Sequence, residues 1–253
     1  YQNMEDIEKC YYIIPKEEFS NEATMKRHYY YGTLQKFVNT LYDHDIQPFL
    51  IDYDELIDFS KEKGINQVVI AGDIMSYHKE EYDILHQKEK FKKEDISVTT
   101  IRANHYFKPS KTRNNKGEPY KVFTSFYKKW RPYLMKRTVY NYDLKDIAKV
   151  GVKSKKKVKG NYSQSGISEE NAQYKWSDFL DKDIEDYDTK REYLPEVLTS
   201  QLSIYLAYGV LDSIQIFNDL LNSYDKDEQN YEAFIRELIF REFYYVLMTQ
   251  YPK

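Results

Sequence analysis

Along its first hundred residues the chain alternates short apolar runs with stretches of helical spacing. Cys10 to Ile14 reads as a strand that stops at Pro15. Tyr29 to Leu41 places Tyr30, Leu34, Phe37 and Leu41 on one helical face. Pro48 to Ile51 is a second short strand, and Asp54 to Lys63 a short helix ended by Gly64. Gln67 to Ala71 is a buried strand closed by Gly72, Lys79 to Lys90 a helix, and Ile96 to Ile101 a strand rich in β-branched residues. Strand and helix in alternation predict an α/β domain with a doubly wound parallel sheet over residues 1–102. Ligands of such sheets sit at the carboxyl ends of strands, where Gly72 to His78 lies.

The pattern then degrades over residues 103–175, which read as a linker, and from 176 it becomes helical. Trp176 to Leu180 leads into an acidic stretch, Asp181 to Asp188. Leu202 to Leu221 repeats apolar residues at 202, 206, 210, 214, 217 and 221, which predicts one helix with a buried face. Tyr231 to Met248 is the last helix. Ile235, Ile239 and Val246 mark one face, and Glu237, Phe240, Arg241 and Tyr244 another.

Charge changes this picture in one place. The 253 residues carry a net charge of −3, yet Lys108 to Arg137 holds ten Lys or Arg and one acid, Glu118. A second basic cluster runs from Lys153 to Lys159. Such a concentration suits a phosphate backbone, or else a solvated linker. No apolar run approaches the roughly 18 residues that span a membrane. The single cysteine, Cys10, has no internal disulfide partner, which fits a reducing, cytoplasmic setting. His78 and His86 do not form a convincing metal pair, and no metal site is expected.

Candidate chemistry concentrates in Tyr187 to Gly209, YDTKREYLPEVLTSQLSIYLAYG. Thr199, Ser200 and Ser203 are expected on the first turn of a helix, where unpaired N–H groups and the helix dipole favour an anion such as phosphate. The alternative is that Thr199 or Ser200 only caps the helix. A second stretch reads Glu237-Leu238-Ile239-Phe240-Arg241-Glu242-Phe243-Tyr244-Tyr245. A third reads Pro119-Tyr120-Lys121-Val122-Phe123-Thr124-Ser125-Phe126-Tyr127-Lys128-Lys129-Trp130.

In order and register these three stretches resemble the photolyase and cryptochrome flavoproteins. That family has a Tyr, an Arg four residues on, a Pro and a Gly-Thr-Ser-x-Leu-Ser element. A Glu-Leu-Ile-Trp-Arg-Glu-Phe-Tyr landmark follows, and a Pro-Tyr-x-Val-Phe-Thr-Pro-Phe segment lies upstream. The resemblance covers most of the chain. It implies a Rossmann-like α/β domain over 1–102 with its first strand missing, a basic linker over 103–175, and the start of an all-α FAD-binding domain over 176–253. It also implies that the sequence lacks a short N-terminal piece and a large C-terminal one.

The implied activity is light-dependent repair of cyclobutane pyrimidine dimers by electron transfer from excited reduced FAD. The alternatives are a cryptochrome-like photoreceptor that binds FAD without repair, and a nucleotide-binding adaptor built on the α/β domain. The implied flavin contacts are Tyr187, Thr199, Ser200, Gln201, Leu202 and Ser203. The implied contacts to damaged DNA are Arg191, Glu237, Phe240, Arg241 and Tyr244. An antenna chromophore, a folate or another, stays open, since Asp73 and Glu80-Glu81 make no clean match. A monomer is expected. The sequence departs from the family pattern at Phe240, where repair enzymes usually carry Trp, and at Leu198, where the family has Gly. For Glu237 a plain surface ion pair with Arg241 is the competing reading.

Overall fold

The computed structural model describes residues 7–15, 24–71, 88–101, 105–107, 112–138, 144–155, 167–192 and 199–250. The chain divides into two compact units, residues 1–65 with 140–168, and residues 66–139 with 169–253.

In the first unit β1 (Tyr12–Pro15) pairs in parallel with β2 (Pro48–Ile51), with Tyr12 opposite Pro48 and Ile14 opposite Leu50. The connection between them is α1 (Thr24–Asp43), as a parallel pair requires. Pro15 is the last residue of the strand, and Cys10 sits just before β1 in a single bridge to Gly151. After β2 comes α2 (Leu56–Lys63), closed by Gly64 at φ 65°, whose N–H reaches the carbonyls of Lys61 and Ser60. Only glycine takes that conformation without cost.

Residues 144–155, placed in the linker by their sequence, return to this unit. Helix α5 spans Leu144–Val150. Beyond it the backbone runs as an extra strand-like segment. Cys10 donates to the Val150 carbonyl at 2.7 Å, Gln47 to Val152 at 2.7 Å, and Ser154 to Asp45 at 2.8 Å. Leu41, Ile46 and Ala148 form the core there, with Tyr12 and Ile147 against it. Gly151 fits because a Cβ at that position would meet an Ile46 methyl at 3.3 Å.

In the second unit β3 (Gln67–Ala71) pairs in parallel with β4 (Ser97–Ile101), residue for residue from Gln67–Ser97 to Ala71–Ile101. The short helix α3 (Lys88–Lys93) precedes β4 and buries Phe91. Both named strand pairs are thus parallel, beside one isolated antiparallel bridge between Ile46 and Lys153, and the other regular elements are helical: an α/β region followed by a helical one.

The helical part consists of α4 (Phe123–Trp130), α6 (Glu169–Lys182), α7 (Tyr187–Lys190), α8 (Ser203–Ala207), α9 (Ser213–Ser223) and α10 (Glu228–Gln250). The single helix expected over Leu202 to Leu221 is two. Gly209, at φ 68°, ends α8. Asp212 opens α9 by accepting the Ile214 N–H at 2.8 Å. Both signals are standard helix punctuation; the apolar repeat ran through them because both pieces bury the same kind of residue. Helix α4 was not foreseen, since its burial rests on Phe126 alone among its eight residues.

Candidate functional site

Helix α10 carries four of the five candidate DNA contacts and packs against α7, which ends at the fifth, Arg191. Its apolar side, with Phe234, Ile235, Leu238, Ile239, Phe243 and Val246 buried, holds it in the core. The chemistry lies on what remains. At 23 residues it is long enough to touch α4, α7 and α9.

Tyr187 opens α7 and is buried, with its ring edge-on to Phe179 at 5.8 Å and to Phe234 at 5.0 Å. Burial pushes its phenol above the ordinary value, and the charge of Glu237 adds to that. Arg191 caps the same short helix, its N–H on the Tyr187 carbonyl at 3.0 Å. Its guanidinium reaches Glu237 at 2.9 Å and Asp188 at 3.5 Å. Glu237 therefore pairs with an arginine 46 positions away, and not with Arg241 one turn along its own helix. Arg241 instead pairs with the buried Glu242 at 3.3 Å, lies over the Tyr245 ring at 4.7 Å, and points Nη2 at the Leu206 carbonyl at 3.5 Å.

Phe240 is half-buried. Its ring centre is 4.2 Å from Phe123 of α4, 5.1 Å from Tyr244 and 6.2 Å from Phe243. Tyr244 is 52% exposed, so this cluster reaches the surface.

Thr199 and Ser200 precede α8, whose first helical residue is Ser203 and whose N-cap is Leu202. Contrary to expectation, Thr199 and Ser200 are not on the first turn, which holds Ser203 alone of the three, and neither of them caps the helix. Thr199, Gln201 and Ser203 are exposed, Ser200 is half-buried and Leu202 is buried. Gln201 is held at φ 51°, a left-handed conformation that costs an ordinary residue about 1–2 kcal/mol, and its side chain accepts from Lys175 at 3.4 Å. The N-cap offers no side-chain acceptor to the first N–H groups of α8. Exposed hydroxyls at the start of a helix suit an anionic, phosphate-bearing group. Asp73, Glu80 and Glu81, considered for an antenna, and the histidine pair His78 and His86 lie outside the described residues, as does Leu198.

Three residues that the sequence reading passed over matter to the geometry. Glu242 is 1% exposed and accepts the backbone N–H groups of Tyr106 at 2.9 Å and Phe107 at 3.0 Å. Glu232 accepts two bonds from Arg131 Nε, at 2.8 and 3.0 Å, one from Arg131 Nη2 at 2.5 Å, and the hydroxyls of Tyr127 and Tyr224. Burial pulls the Glu232 carboxyl up, but Arg131, Tyr127 and Tyr224 together outweigh it and hold it below the usual range. The same burial, with the carboxylate beside them, pushes both tyrosines up to about 12. Arg236 is the third. Only the identity of Glu242 inside the Arg-Glu-Phe triplet gave any sequence signal.

Residues 7–142, more than half of the chain, match the family described as DNA photolyase, and the chain belongs to that family. The chain is 29% identical to the deoxyribodipyrimidine photo-lyase of Alkalihalophilus pseudofirmus over 163 residues, 60% of this chain and 34% of that protein. It is 26% identical to the deoxyribodipyrimidine photo-lyase of Buchnera aphidicola, over all of this chain and 56% of that protein. In structure it is similar to a bacterial class III photolyase from Agrobacterium tumefaciens, with a TM-score of 0.74 and 19% identity over 96% of this chain and 54% of that one. It is also similar to a Synechocystis cryptochrome, with a TM-score of 0.68 and 12% identity over 96% of this chain and 56% of that one. The chain thus spans between a third and just over half the length of these relatives. Proteins of this family generally bind FAD. No helix among the described residues is long and apolar enough to cross a membrane.

Proposed function

We propose that the complete protein to which this chain belongs repairs cyclobutane pyrimidine dimers in DNA under light. Membership of the DNA photolyase family over residues 7–142 carries this reading. Thr199, Ser200, Gln201, Leu202 and Ser203 would hold FAD, with the hydroxyls toward its phosphates, and Tyr187 would brace the segment from its aromatic cluster. When bound, the excited reduced flavin supplies the electron that opens the cyclobutane ring. The residues of this chain do the rest. Arg191 meets the DNA backbone, and Glu237 offers a carboxylate to the edge of the extruded dimer. Phe240 and Tyr244 give it an aromatic wall, which an unstacked base needs. Arg241 joins the same face from its pairing with Glu242.

A cryptochrome-like role keeps the flavin and omits repair, and Phe240 in the position of the family's Trp favours it. One experiment separates the two readings. The complete protein, reduced, is mixed with an oligonucleotide holding one thymine dimer and illuminated with blue light. Restored thymine absorbance in the light and none in the dark is the expected outcome. A protein that binds flavin and leaves the dimer intact would be a photoreceptor.

A further inference from the structure

Glu232 and Arg236 stand four residues apart on α10, acid first, the favourable order for an ion pair along a helix. That pair does not form. Glu232 is taken by Arg131, Tyr127 and Tyr224, and the neighbouring Glu237 by Arg191. Arg236 is exposed, and among the described residues it has no salt bridge. Its guanidinium lies instead over two rings of α4, 5.2 Å from the Phe123 centre and 5.1 Å from that of Tyr127.

Stacking occupies the face of a guanidinium and leaves the N–H groups at its edge free, pre-aligned for a phosphate or carboxylate. The surroundings favour an anion. Lys121, Lys128 and Lys129 are exposed on and just before the same helix, and Phe123 touches Phe240 at 4.2 Å.

We infer that Arg236, seated on Phe123 and Tyr127, binds a backbone phosphate of DNA beside the Phe240 face. This rests on the proposed DNA-repair reading and extends its DNA surface one turn toward the start of α10, onto α4. The two aromatic rings fix the height and tilt of the guanidinium, so the phosphate is held at a set distance from Phe240.

The test uses the complete protein and a duplex with or without a thymine dimer, with binding followed by fluorescence anisotropy across a salt series. Arg236→Gln and Arg236→Leu remove the charge, and Arg236→Lys keeps it. Expected is a several-fold weaker Kd on both duplexes for Gln and Leu. Their log Kd against log salt should be shallower by about one unit, the share of one phosphate. Arg236→Lys should keep the wild-type slope. Melting temperatures identify the variants that are folded. An unchanged slope in whichever of Gln or Leu folds would overturn the inference, leaving Arg236 as a packing residue of the α4 seam. Wild-type protein that binds neither duplex would instead overturn the repair reading on which it rests.

Discussion

Helix α10 carries glutamates at 232, 237 and 242, and the two seams it makes treat them in opposite ways. Toward α4 and residues 105–107, Glu242 is buried and Glu232 is 26% exposed, and each accepts several donors. Toward α7, Glu237 is 49% exposed and shares one arginine. In the first seam a carboxylate without its donors would be an uncompensated buried charge, so the donors are indispensable. In the second, water can replace the partner, so the pair is weak and can exchange for a ligand. The difference marks the buried floor of the α4 seam as structural, and leaves the α7 side and the exposed rim of α4 around Arg236 open to the proposed DNA contact.

The largest expected effect breaks the α4 seam at its apolar centre. Phe126 is fully buried, 5.3 Å from Phe243 and 5.4 Å from Tyr120. Phe126→Ala should cost about 3–5 kcal/mol, read as a lower urea midpoint at constant m-value. Glu242→Ala strands two buried N–H groups, at about 1–3 kcal/mol each. A loss of about 3 kcal/mol is expected, and a loss near that of a surface residue would show that water reaches the site.

Phe240 stands between the seams. Phe240→Ala in the complete protein should weaken binding of dimer-containing duplex by about 1–3 kcal/mol, the worth of one base stack, and leave undamaged duplex almost unchanged. Equal losses on both, with a large fall in melting temperature, would assign Phe240 to the packing of Phe123 alone.

Acid sharpens the contrast. The Glu232 carboxyl is held below its unfolded value, so its stabilisation is complete above the unfolded pKa and is lost as pH falls through the folded one. Urea midpoints should fall on acidification, and Glu232→Gln should flatten that decline. A variant that declines as steeply as the wild type would remove Glu232 from the seam's energetics. The smallest effect belongs to the α7 side. Arg191→Ala should cost at most about 1 kcal/mol of stability while reducing the salt dependence of DNA binding by about one unit. Circular dichroism melts and the same anisotropy series would read both.

Much of the fold follows from local pattern. Period and β-branching located β2, β3 and β4, and the apolar repeat of α10 was legible to within a few residues at each end. Gly209 and Asp212 mark the break between α8 and α9 as helix punctuation that the apolar repeat runs through. The family's order of motifs was likewise plain from Thr199 to Ser203 and from Glu237 to Tyr244. Partner choice was not. Helical spacing offers Glu232 to Arg236 and Glu237 to Arg241, and both offers are declined for arginines 101 and 46 positions away. Spacing along a helix fixes only which side chains can meet, at a few tenths of a kcal/mol. Tertiary packing decides which do: for Glu232 it delivers a planar guanidinium in bidentate geometry within a half-buried seam, where the bond is worth more, and for Glu237 it brings Arg191 of the neighbouring element beside an exposed carboxylate. The cation left over by that choice, Arg236, is visible only once the chain is folded.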